Sequence, residues 1–68
     1  MRIRNYETGA TMPGLASEEL ARESADAGDT GAVPAYRDEA GVWQYVPADQ
    51  RDAYRARGVE VLTVWVES

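Results

Sequence analysis

The sequence predicts an α+β domain, and three observations carry that expectation. The stretch "VEVLTVWVES" alternates bulky apolar side chains on both faces, which marks a strand covered on both sides. "AVPAYR" and "VWQYV" flank the turn-forming tetrapeptide "DEAG" as the arms of a hairpin. Two short polar stretches carry helix-start and helix-stop residues at the right spacing. The chain has 68 residues, so residues 1–68 are expected to form one small domain. Folding at this size removes only about 60% of the surface the unfolded chain exposes.

Taken in order, "RIRNY" reads as a first strand, and "ETGATMPG" reads as a loop punctuated by Gly9, Pro13 and Gly14. Ser17 is a good N-cap because its hydroxyl can accept from a free amide of the next turn. Glu18 and Glu19 then stand where carboxylates favour the positive end of a helix. This first helix is expected over Glu18 to Ala27, closed by Gly28. Its apolar stripe is thin, with Leu20 its only large side chain. In the hairpin that follows, Pro34 lacks an amide hydrogen, which points to an edge strand or to a position facing away from a neighbour. Pro47 opens a second helix ending at Gly58, with Asp49 and Asp52 early and Arg51, Arg55 and Arg57 late, and Asp52 spaced to pair with Arg55. The last strand places Val59, Val61, Thr63 and Trp65 on one face and Leu62, Val64 and Val66 on the other. The expected architecture is therefore a small antiparallel sheet of three to four strands with two short helices. Its order, β-α-β-β-α-β, is that of a ferredoxin-like split βαβ domain. Trp43 and Trp65 are both expected in the core.

Composition narrows the chemistry. Cysteine, histidine and lysine are all absent, which removes thiolate and imidazole ligands, the commonest general base and Schiff-base chemistry. No catalytic residue, metal site or cofactor is expected. The net charge is −5. Residues 7–41 concentrate it, with eight carboxylates against Arg22 and Arg37. Such a field repels phosphate backbones and favours basic partners. No apolar run is long enough for a membrane span, so a cytoplasmic protein without membrane contact is expected.

Two local resemblances are present. Asp29-Thr30-Gly31-Ala32 resembles the catalytic loop of aspartic proteases, a likeness that would make Asp29 catalytic. That loop follows a strongly apolar strand, whereas here the preceding residues are "ESADAG", and the simpler reading is a turn between helix and strand. "GAVPAYRDEAGVWQYVPADQRDAYRARG" resembles the wing and final helix of excisionase-type winged-helix DNA-binding domains. Gly31, Pro34, Ala35, Arg37, Trp43, Pro47, Ala53 and Tyr54 fit that spacing. The resemblance implies a DNA-binding protein, the alternative function. Against it, only nine residues separate "EELA" from Gly31, too few for a recognition helix, and the wing tip is acidic.

The leading expectation is a non-enzymatic interaction or regulatory module that binds a protein partner. Its expected surface combines Leu62, Val64 and Val66 of the last strand with Glu18, Glu19, Glu23 and Asp26 of the acidic helix. Two short helices offer little cover for a strand apolar on both faces, so a partner chain, including a second copy in a homodimer, is the expected cover.

Overall fold

The computed structural model describes residues 2–67. Its elements run β1 (Arg2–Asn5), β2 (Thr11–Met12), β3 (Leu15–Ala16), α1 (Glu18–Asp26), β4 (Val33–Arg37), β5 (Val42–Tyr45), a 3-10 turn (Ala48–Gln50), α2 (Arg51–Ala56) and β6 (Leu62–Glu67). The fold is α+β, as expected, but the sheet is larger and differently ordered. Six strands line up as β2-β1-β6-β4-β5-β3. All pairings are antiparallel except that of β3 with β5. The expected three- to four-stranded antiparallel sheet in ferredoxin-like order is therefore corrected to a curled, mixed six-stranded one.

The difference originates in "TMPGLA". These residues carry turn formers and read as loop, yet Met12 pairs with Ile3 on β1 while Leu15 and Ala16 pair with Val42 and Trp43 on β5. One short stretch of chain thus joins the two ends of the sheet and curls it towards closure, which leaves little open edge for another chain to extend. The kink between β2 and β3 depends on Gly14. Its φ is +114°, and a Cβ there would stand 2.5 Å from the Gly41 carbonyl oxygen and 2.9 Å from the Trp43 indole. That indole donates its Nε1 hydrogen to the Pro13 carbonyl at 2.8 Å, which fixes the kink.

β6 is central, as its two apolar faces require, with β1 on one side and β4 on the other. β4 is also interior, which corrects the edge position expected from Pro34. In an antiparallel strand a residue's N–H and C=O point to the same side. Pro34 points to β5, where its carbonyl accepts from the Val46 amide at 3.0 Å, just past the end of the β5 strand. Val33 and Ala35 keep their amides for β6, so the missing donor falls where the β4–β5 ladder ends.

α1 lies on the concave face. Ser17 caps it, its hydroxyl accepting from the Leu20 amide at 3.1 Å, and Gly28 turns the chain out at φ +83°. Leu20 is fully buried in a cluster with Ile3, Val33, Ala35, Trp43 and Val64. Trp65 is not part of this core. It stands half-buried on the convex face, edge-on to Tyr6 with ring centroids 6.0 Å apart. The alternation of β6 that sends Val64 inward sends Trp65 out.

α2 lies on the convex side and contributes no buried residue of its own. Tyr54 packs on Tyr36 at 5.7 Å, and the Arg57 guanidinium sits 4.7 Å from the Tyr54 ring centre. The expected Asp52–Arg55 pair does not form among the described residues. Arg55 instead donates to the Val61 carbonyl at 2.9 Å, tying α2 to the start of β6.

Candidate partner-binding surface

The expected surface divides when placed on the fold. On β6, Leu62, Val64 and Val66 do share one face, the concave one. Val64 has no exposed surface, being enclosed by the same chain, so a partner could touch only Leu62 and Val66, both half-buried. The cover expected from another chain is supplied at Val64 by the curled sheet and α1. A helix with one leucine suffices because it lies in a concavity, where its single large side chain meets strands from several sides.

The acidic helix is different. Its buried stripe is Leu20 and Ser24, which leaves Glu18, Glu19 and Asp26 exposed and Glu23 half-buried. Glu19 and Glu23, one helical turn apart, lie along one flank. This flank approaches Tyr45 of β5. Burial first, and then the charges of Glu23, Glu19 and Asp49, push the Tyr45 hydroxyl above its ordinary pKa. α1, with Glu19 and Glu23, packs against β5, with Tyr45, and the 3-10 turn with exposed Asp49 follows β5 in the chain. Sequence reasoning named the two glutamates and missed Tyr45 and Asp49. The signal lay in the strand alternation of Trp43 and Tyr45, which puts both rings on the side that α1 covers.

The patch can offer negative charge around an aromatic ring that is not fully enclosed. No group of three His, Cys, Asp or Glu side chains is gathered closely enough to hold a metal ion among the described residues. Glu18 and Asp26, both exposed, extend the acidic surface along the helix.

The Asp29 loop is a turn. Thr30 Oγ1 accepts from the Ala32 amide at 3.3 Å, and Gly31 takes φ +62° on its way into β4. The segment between α1 and β4 contains no helix, so nothing occupies the place of a winged-helix recognition helix. No helix among the described residues is long and apolar enough to cross a membrane.

The fold and this patch define a small α+β protein with a curled mixed sheet and an acidic helix on its concave side. Comparison with known proteins found no matching family model, no matching curated protein and no matching solved structure.

Proposed function

We propose that this protein is a non-enzymatic interaction module that binds a basic protein partner through α1. The observation that carries this reading is the acidic outer surface of α1, where Glu18, Glu19 and Asp26 are exposed and Glu23 half-buried while the helix packs against β5, the strand of Tyr45. Tyrosine is enriched at binding hot spots because it supplies a large contact area and a polar tip at low entropic cost. Carboxylates around it steer a cationic partner in and select its register. Glu18 and Asp26 lengthen the steering surface, and β6 serves as its rigid support. A homodimer is a separate reading, since a second copy of this chain carries a net charge of −5 and is not a basic partner; it would use Leu62 and Val66, and sedimentation at high concentration distinguishes it.

The experiment is affinity capture from the source cell with two baits, the parent chain and a Glu19→Lys/Glu23→Lys variant. A partner retained by the parent and lost by the variant, while both baits melt at similar temperatures, supports the reading. Capture of the same partner by both baits contradicts it. DNA binding would instead show as retention on heparin with steep salt dependence, whereas the charge of this chain predicts flow-through.

A further inference from the structure

The pairing of β4 with β6 is incomplete at both ends, and the two ends are treated differently. The ladder covers Val33 with Val64, Pro34 with Thr63 and Ala35 with Leu62. Beyond Val33 the next rung would join the Val66 amide to the Gly31 carbonyl. The Ser24 hydroxyl stands there instead, accepting from the Val66 amide at 3.1 Å and donating to the Gly31 carbonyl. That end is closed by a side chain which is itself only 4% exposed.

At the other end no backbone pairing closes the fork among the described residues. The alternation that aims the backbone of Val33 and Ala35 at β6 aims the N–H and C=O of Arg37 the same way. Across from Arg37 stands Glu60, in the connection from α2 to β6, and no backbone hydrogen bond joins Arg37 to residues 58–60 among the described residues. A cleft of about 720 Å³, open to solvent, lies at this fork. Tyr36, Trp43 and Val59 line it, and Glu39 and Glu60 stand at it beside Arg37. Asp38 also lines it but is committed to the hairpin turn, where its carboxylate accepts from the Ala40 and Val42 amides and from Gln44.

We propose that this cleft takes a short extended segment of a partner polypeptide, which pairs with the free backbone of Arg37 and sets a basic side chain near Glu39 and Glu60. The volume falls in the range of ligand sites. An unpaired main-chain donor and acceptor on one residue is what strand addition uses, with alternate side chains read by the walls. The excess of carboxylates over the single guanidinium selects a cationic segment over an acidic one. The cleft is lined by residues other than those of the α1 patch, so it is a second site and stands or falls separately.

The probe is a blocked heptapeptide of alternating arginine and valine, titrated into the full chain and followed through its backbone amide resonances. Saturable shifts should centre on Arg37, Glu39 and Glu60, and the Arg37 amide should become protected from hydrogen exchange. A peptide with glutamate replacing arginine should bind at least tenfold more weakly, and one with proline replacing each valine should lose the Arg37 protection. A Glu39→Lys/Glu60→Lys variant, both positions exposed, should fold normally and bind the arginine peptide about threefold to thirtyfold more weakly. The proposal is overturned by shifts confined to Glu19, Glu23 and their neighbours, by no saturation at millimolar peptide, or by unchanged affinity in the double variant. Equal binding of the free amino acid arginine and the peptide, without Arg37 protection, also overturns it, because the cleft would then be a small-molecule site.

Discussion

α1 and α2 lie on opposite faces of one sheet and bury very different amounts. α1 brings a single leucine into a concavity and seals it: Ile3, Leu20 and Val64 are all without exposed surface. α2 lies on the convex face, where Val46 and Val61 are buried but no residue of the helix itself is. Its attachments are an aromatic contact, a cation over a ring and one arginine hydrogen bond to a carbonyl. Helix length and hydrophobic content do not account for the contrast, since both helices are short and polar. Curvature does, because a concave sheet presents several strands to one side chain and a convex sheet presents few.

The largest expected effect is on the concave side. Leu20→Ala should cost about 3 to 5 kcal/mol, measured by urea denaturation, because the cavity it leaves is walled by strands that cannot all collapse inward. In a protein of this size that loss approaches the whole stability. A cost below about 1 kcal/mol would mean that α1 does not close the core.

Ser24→Ala should cost about 2 kcal/mol, since the Val66 amide and the Gly31 carbonyl would both lose their partner in a buried position. A neutral substitution would show that β4 and β6 can close directly at that end, weakening the contrast between the two ends of the ladder. On the convex side, Tyr54→Ala should cost only about 1 kcal/mol, from the lost aromatic pair and the cation above it.

The smallest effect concerns the β4–β5 turn. The hydrogen bond from Gln44, followed by that from the Val42 amide, holds the Asp38 carboxyl below its ordinary pKa. A carboxylate with a lowered folded pKa contributes stability that is present above its unfolded value, near 3.8, and is lost as pH falls through the folded value. Melting temperature should therefore decline on acidification below about pH 4 to 5, and Asp38→Asn should flatten that part of the profile. An unchanged acid limb in Asp38→Asn would assign the decline to other carboxylates.

These contrasts were unequally legible in the sequence. The caps at Ser17 and Gly28, the hairpin around Gly41 and the central place of β6 follow from local residue chemistry, and the fold keeps them. β2 and β3 did not show, because two-residue strands around Pro13–Gly14 have no periodicity to read. They exist through long-range pairing with β1 and β5 and through the Trp43 indole bond to Pro13. Once they curl the sheet, Val64 is sealed and Trp65 is left at the surface, two outcomes that strand alternation alone does not decide. The same holds for the candidate site. Glu19 and Glu23 were legible from charge, whereas Tyr45 and Asp49 join them only after α1 has docked.

Native-state amide hydrogen exchange tests the comparison most directly, since it reads the stability of each helix within one intact molecule. The account predicts that the amides of Leu20 to Ser24 and of Val64 and Val66 exchange only by global unfolding, and that those of Tyr54 to Ala56 exchange by local opening at a free energy well below it. Equal protection of α1 and α2, or faster exchange in α1, would contradict the claim that sheet curvature makes the concave side the core.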